Sequence, residues 1–370
     1  MKFYCTQQSL LTEIMYSMDF TQQRNALSIM SNVYLETQNN ILIIKATDTN
    51  IGFSTQIAVE TLEEGNTTVY CEKFLEILRL LPDTKILFET KDKVMSIKPE
   101  NSSIIFNSSI RVIDGNEYPQ LEDASNTNFF NISQSSFNDM SDQTIFSVST
   151  DETRYYLCGL LLEKNPTGLT LVGTDGRRLS IVERKFEEPI PDFKSVIIPT
   201  KFFVELKKLS TGEGTLGLCI KENLIFAKVG NRFFYSTLIK GQFPDYRRII
   251  PQNLPKTCII KTQDMINAIK RVSVSIESKA YRIYLQLSHD EIMLYSEENE
   301  NSEANEKITC HYDNEDCTIC LNYLYLLTPL KVMKSDNFII NFIEPTKALL
   351  VYPEGECDYY HLIMPMQPNS

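Results

Sequence analysis

Three stretches of the chain repeat one apolar pattern. In KFLEILRLLP (73–82) the apolar positions are Phe74, Leu75, Leu78 and Leu81. In KFFVELKKLS (201–210) they are Phe202, Phe203, Leu206 and Leu209, and in NYLYLLTPLK (322–331) they are Tyr323, Leu324, Leu327 and Leu330. Offsets of 0, 1, 4 and 7 line one face of an α-helix. The stretches start at 73, 201 and 322, steps of 128 and 121 residues. A second helical pattern precedes each: SLLTEIMYSM (9–18), SSFNDMSDQTI (135–145) and TQDMINAIKRV (262–272).

Between the helices lie short runs rich in Ile, Val, Phe and Thr, such as NILIIKA (40–46), KILFET (85–90), FIINFI (338–343) and ALLVYP (348–353). Such runs, bounded by Asn, Asp and Gly, predict strands. KATD (45–48) and VGTD (172–175) each close a strand-like run 127 residues apart, and Pro119, Pro244 and Pro365 follow at steps of 125 and 121. Landmarks kept in one order at one period predict an internal threefold repeat. Each unit is helix, strands, helix, strands. The fold class is therefore α+β with antiparallel sheets, in three domains of like fold spanning 1–125, 126–252 and 253–370.

Length and composition agree with several cores. The chain has 370 residues, 42% hydrophobic and 23% charged, which suits a soluble globular protein. No apolar run reaches the ~20 residues of a membrane span, and MKFYCTQQSL is not patterned as a signal peptide. A cytoplasmic protein with no membrane partner is expected.

The net charge of −12 argues against a uniformly phosphate-binding surface. The basic residues are nevertheless concentrated on helical segments: Lys201, Lys207 and Lys208 in one, Lys331 and Lys334 in another, and Lys261, Lys270, Arg271, Lys279 and Arg282 in a third. If these faces share one side of an assembly, that side is electropositive. Ordinary solvated helix faces explain the same charges equally well. The acidic run EENENSEANE (297–306) predicts a hydrated loop.

Local signatures of catalysis are missing. The chain has no P-loop, no G-x-G-x-x-G, no H-E-x-x-H and no G-x-S-x-G. Its three His, at 289, 311 and 361, form no recognisable triad. Of nine Cys only Cys317 and Cys320 make a C-x-x-C pair, and they sit in the strand-like run CTICL. Packing as small apolar side chains outweighs a zinc or redox reading. No cofactor and no metal are expected.

RYYLCGLLLE (154–163), GTDGRRLS (173–180), KGQFPDYRRIIP (240–251) and HLIMPM (361–366) together resemble the β subunit family of bacterial DNA polymerase III, the sliding clamps. The likeness runs the whole chain. It implies a non-enzymatic processivity factor, cytoplasmic and nucleoid-associated. Two chains of three domains would join head to tail in a ring around duplex DNA, with helices lining the hole. The partners it implies are the polymerase III catalytic subunit, the clamp loader, and other DNA polymerases and repair proteins bearing short peptide motifs.

The resemblance also implies site residues. A peptide-binding groove would comprise Leu157, Thr174, Gly176, Arg177, Leu179, Pro244, Arg248, Ile249, Leu362, Met364, Pro365 and Met366. An apolar pocket containing Met suits many partners. Arg24, Tyr155 and Tyr156 would touch DNA, together with Lys201 and Lys207 on a lining helix. Phe106, Ile110, Val272 and Ile276 would meet at the dimer junction. The chain departs from the family in having Arg177 where His is common, and QPNS after MPM. Two other classes stay open on the residues alone: a peptide-binding scaffold without topological hold on DNA, and an enzyme with an unmarked carboxylate site.

Overall fold

The computed structural model describes residues 1–22, 28–100, 106–122, 128–276, 281–297 and 302–367. Among the described residues, six α-helices lie where the apolar periodicity puts them: α1 (Gln7–Met18), α2 (Cys71–Leu80), α3 (Gln134–Asp142), α4 (Thr200–Leu209), α5 (Thr262–Val272) and α6 (Tyr323–Val332). Phe74, Leu75 and Leu78 of α2 are buried, as are Phe202, Phe203, Leu206 and Leu209 of α4. The third stretch differs. Leu326, Leu327 and Leu330 of α6 are buried, whereas Leu324 is 36% exposed. Asn322 caps α6, its Oδ1 accepting from Leu324 N at 2.9 Å, which fixes where the turn begins and rotates Leu324 outward.

The strands are antiparallel throughout their pairings and form two sheets, one of 13 strands and one of 12. Ile41–Thr47 shows why these runs make half-buried strands: Leu42, Ile44 and Ala46 point to the core, and residues between them are turned out or half-buried.

Contacts group the chain into two compact units rather than three. The first comprises Met1–Ser135 with Lys201–Leu238, and the second Ser136–Thr200 with Ile239–Ser370. The physical reason is strand pairing across repeats. In the first unit Arg232–Thr237 pairs with Ile51–Ala58, placing Phe234 opposite Phe53 and Tyr235 opposite Gly52. In the second, Arg178–Lys185 pairs with Tyr359–Ile363, placing Leu179 opposite Leu362 and Ser180 opposite His361. Each pairing continues a sheet from one repeat into the next, so the middle repeat is shared between the units.

Each unit has its own core. In the first, α1 and α2 pack together over a cluster including Phe3, Leu10, Ile14, Phe74 and Phe88. In the second, α5 packs on α6, and Met265, Ala268, Ile269 and Val272 are buried. No helix among the described residues is long and apolar enough to cross a membrane.

Candidate functional site

The second unit holds an apolar groove of about 640 Å³ beside the Arg178–Lys185 and Tyr359–Ile363 pairing. Its floor is Leu179 and Leu362, both 1% exposed, and its rim carries Met364 (44% exposed) and Ile249 (54% exposed). Apolar side chains left open at a concave site are the usual material of a binding surface.

One end of the groove is the tight turn after strand Gly168–Thr174. Thr174 Oγ1 donates to Arg178 O at 2.6 Å and accepts from Gly176 N at 3.1 Å. Asp175 Oδ1 accepts from Arg177 N and Arg178 N, and its Oδ2 from Arg178 Nε at 3.0 Å. Gly176 has φ of +86°, a left-handed conformation that disfavours a side chain. The Thr-Asp-Gly run thus builds the turn, and its polar side chains are used within it. The guanidinium of Arg178 lies 4.6 Å from the Tyr325 ring centre and is held there by Asp175.

Of the residues that the resemblance implied, the groove lining brings together Thr174, Gly176, Arg177, Leu179, Ile249, Leu362 and Met364. Leu157, Pro244, Arg248, Pro365 and Met366 are outside it. Leu157 is 4% exposed, and Arg248 pairs with Asp245 at 2.7 Å. Met364 N donates to Arg177 O, and Met366 N to Cys320 O, so the tail leaves the groove along the strand Cys317–Asn322. The lining adds Arg178, Pro251 and the turn residues Ile343, Glu344, Lys347 and Ala348. The turn joins the two strands foreseen as FIINFI and ALLVYP, and Ile343, at the end of the first run, is 39% exposed there.

A short 3-10 turn, Tyr246–Ile249, sets the opposite wall. Tyr246 is buried in the cluster containing Leu179 and Leu362. Burial, followed by its hydrogen bond to Glu163, pushes the Tyr246 phenol far up.

Behind the floor, the other face of the same strands carries a polar chain. Ser147 Oγ and Ser180 Oγ are 2.5 Å apart, and Ser180 Oγ is 2.8 Å from His361 Nδ1. His361 Nε2 is buried without a protein partner among the described residues. Burial, aided by Arg178, lowers the His361 imidazole from 6.5 to about 3, so the ring is neutral.

The residues implied for DNA contact are placed as follows. Arg24 lies outside the described residues. Tyr155 is 55% exposed and Tyr156 half-buried, in the 3-10 segment Glu152–Leu157 capped by Asp151. Lys201 and Lys207 are exposed on α4. Lys201 pairs with Asp48 at 2.9 Å, and Lys208 with Asp19 at 2.8 Å. Elsewhere Lys334 pairs with Asp139 at 3.2 Å, and Arg271 with Glu306. The basic helix residues are thus largely answered by the chain's own carboxylates.

At the implied dimer junction, Phe106 is 38% exposed and Ile276 half-buried. Ile110 and Val272 are 8% and 1% exposed and face the chain's own cores. Val272 falls on the buried stripe of α5 with Met265 and Ile269, and the residue this segment presents outward is Val274, 83% exposed.

Cys317 and Cys320 stand three apart on one strand and so point to opposite faces, a geometry in which they cannot share an ion. All nine cysteines are free thiols, and among the described residues no group of three or more His, Cys, Asp or Glu is placed to hold a metal.

Family models for the DNA polymerase III beta subunit match in order along the chain. The N-terminal domain matches residues 1–122, the central domain 131–245 and the C-terminal domain 247–367. The beta sliding clamp of Treponema pallidum is 34% identical over 371 residues, covering 99% of this chain and 100% of that protein. The Escherichia coli K12 beta sliding clamp is 28% identical, again over 99% and 100%. The crystal structure of the DNA polymerase III subunit beta from Pseudomonas aeruginosa superposes with a TM-score of 0.92 at 28% identity, covering 99% of this chain and 100% of that one. The Bacillus subtilis clamp, at 22% identity and a TM-score of 0.94, agrees in fold. Full-length relatives and all three domain models in order show that this chain belongs to the DNA polymerase III β subunit family, the bacterial β sliding clamps.

Proposed function

We propose that two copies of this chain close head to tail into a ring that encircles duplex DNA, slides along it, and tethers the polymerase III catalytic subunit through the groove at the second seam. The clamp loader and other polymerases and repair proteins would dock on the same groove by short peptides. Catalysis by the clamp itself is not required. The three domains would be bounded near residues 125 and 252. The observation that carries this reading is full-length membership of the clamp family, in a chain whose open apolar groove lies where its second and third repeats join.

The electrostatics support it. Attachment by charge alone grows with each phosphate neutralised and would hold a protein in place. A topological ring needs only weak, sequence-independent contacts. Lysines already paired with carboxylates, as Lys208 is with Asp19, are suited to weak contact. Tyr155, Tyr156, Lys201 and Lys207 remain the proposed DNA-facing residues, with Arg24.

For the junction between copies, the reading rests on open surface. Strand Ser108–Ile113 pairs with Val94–Pro99 through residues 108–111 on one side, and with Gly65–Tyr70 at residues 112 and 113 on the other. The pairing recorded for residues 108–111 therefore uses one edge of that strand. We place the contact on that second edge with Phe106 and Leu80 of one copy, against Val274 of the other; Leu80 is 87% exposed. Burying such side chains contributes about 1.5–3 kcal/mol each. Val274→Asp should therefore sediment as a monomer, where the parent protein sediments as a dimer.

The deciding experiment loads the protein onto nicked circular DNA with its cognate loader, then cuts the circle. Release only on linearisation is expected. Equal retention on circle and line would defeat the ring and leave an ordinary DNA-binding protein.

A further inference from the structure

We propose that Glu163 is a positioning residue for the groove, acting on bound peptide only through the wall it anchors. The proposal rests on the reading that the groove takes peptides.

Glu163 projects from strand Gly159–Asn165, and its side chain is 15% exposed. It is not part of the groove lining. Its Oε2 accepts from Tyr246 Oη at 2.8 Å and from Arg247 Nη2 at 2.7 Å. Its Oε1 accepts from Ser195 Oγ at 3.3 Å. The Arg247 guanidinium lies 4.6 Å from the Tyr246 ring centre. One carboxylate therefore fastens two consecutive residues of the 3-10 turn to the sheet. A carboxylate suits the task because it accepts from a phenol and a guanidinium together, and charge-assisted hydrogen bonds are about twice as strong as neutral ones.

The turn is short, so what fixes its start fixes its end. Ile249 is three residues after Tyr246 and Pro251 five, and both line the groove. Ile249 is 54% exposed and has little packing of its own to hold it. Tyr246 in turn packs in the cluster that includes the groove floor, Leu179 and Leu362. Without Glu163 the wall would keep its residues and lose its fixed distance from the floor. A site that must be ordered during binding binds more weakly than one already set.

The test is fluorescence anisotropy on the full-length protein, with a labelled peptide copied from the tail of the cognate polymerase III catalytic subunit. Glu163→Ala should raise Kd about tenfold, the equivalent of one charge-assisted hydrogen bond. Glu163→Gln, which keeps an acceptor for Tyr246 and loses the charge facing Arg247, should raise it about threefold and guards against a misfolded Ala variant. The readout that separates positioning from a general loss of structure is a double-mutant cycle: Ile249→Ala should cost less affinity in the Glu163→Ala background than in the parent. An equal cost in both backgrounds overturns the proposal. So does unchanged affinity of Glu163→Ala while Met364→Ala, on the rim itself, loses binding. If neither variant loses binding, the groove reading falls and takes this proposal with it.

Discussion

The two seams between repeats share a strand register and fill it with opposite chemistry. Across the outer face of the second seam runs the row Leu350, Leu362, Leu179, Thr174, each paired to the next. The same row at the first seam reads Phe226, Tyr235, Gly52, Thr47. Two of these leucines, Leu179 and Leu362, make the floor of an open groove, whereas at the first seam the Tyr235 ring lies over Gly52. A Cβ on Gly52 would sit 2.3 Å from Tyr235 Cε1, so the glycine is what lets the ring lie there. Tyr118 adds a brace, its Oη accepting from Thr47 N and donating to Asn32 O. The inner faces also differ. Phe53 and Phe234 join Phe20 and Phe202 in an aromatic cluster with centroid distances of 4.9–5.8 Å. Their counterparts are Ser180 and His361, hydrogen-bonded to each other and on to Ser147. A backbone plan repeated twice thus yields one seam where the Tyr235 ring covers this row and one where the leucines stay open, and the difference lies in a handful of residues.

The largest expected effect removes the aromatic core of the first seam. Phe234→Ala should cost about 3–5 kcal/mol in urea unfolding, because Phe234 is fully buried and its neighbours are rigid rings. Peptide affinity, which belongs to the other seam, should not change in the folded protein. Gly52→Ala comes next, at about 1–3 kcal/mol from overpacking against Tyr235. Adding Tyr235→Leu should relieve most of that cost, since it removes the ring that the new Cβ meets. A Gly52→Ala penalty that persists in the Tyr235→Leu background would mean that something other than the ring requires glycine there.

His361 gives the second seam an acid-side pH dependence at the position where the first has Phe234. Its folded pKa is lowered to about 3 from 6.5, so the unfolded chain binds the proton more readily. Stability is therefore fully present above pH 6.5 and declines as pH falls from there toward 3. Between pH 7.5 and 5.5 the loss should be about 1.4 kcal/mol. The check is the difference between the parent and His361→Gln in urea unfolding over that range, which isolates this ring from every other titrating group. Parallel curves would show that His361 takes up its proton as easily folded as unfolded.

Much of this is legible in the sequence. The helix at Thr262–Val272 begins and ends where its apolar periodicity does. GTDGRRLS carries its turn chemistry locally, because Thr174, Asp175 and Gly176 satisfy the turn among themselves. What was not legible came from pairing between distant strands. Ile343, Glu344, Lys347 and Ala348 reach the groove because their strands run beside the C-terminal one, and nothing in their spacing says so. Val272 and Val274 are equally apolar in sequence, but Val272 ends the buried stripe of α5 and Val274 sits on the 3-10 turn after it. The threefold repeat concealed the two compact units for the same reason: a repeat records ancestry along the chain, while contacts record which edges pair.

One feature is common to both seams, and it makes the smallest and most informative comparison. Lys208–Asp19 at the first seam recurs as Lys334–Asp139 at the second, the Lys residues 126 apart and the Asp residues 120 apart. Each pair ties the second helix of one repeat, or the segment just after it, to the first helix, or the residue just after it, of the repeat before. All four side chains are partly exposed, so each pair contributes only about 0–1 kcal/mol to stability. Asp19→Asn and Asp139→Asn should therefore leave the unfolding midpoint nearly unchanged. Asp139→Asn should also free Lys334, just past α6, and Asp19→Asn should leave Lys208 with Glu205 alone, 3.1 Å away; the proposed ring turns both lysines toward DNA. If the freed lysine reaches a phosphate, the log–log slope of duplex binding against salt steepens by about 0.9 for each substitution. An unchanged slope with Asp19→Asn and a steeper one with Asp139→Asn would place only the second-seam lysine against the duplex. The reverse result would place only the first. No change with either would mean that the recurring pair holds the repeats together and does nothing to temper their grip on DNA.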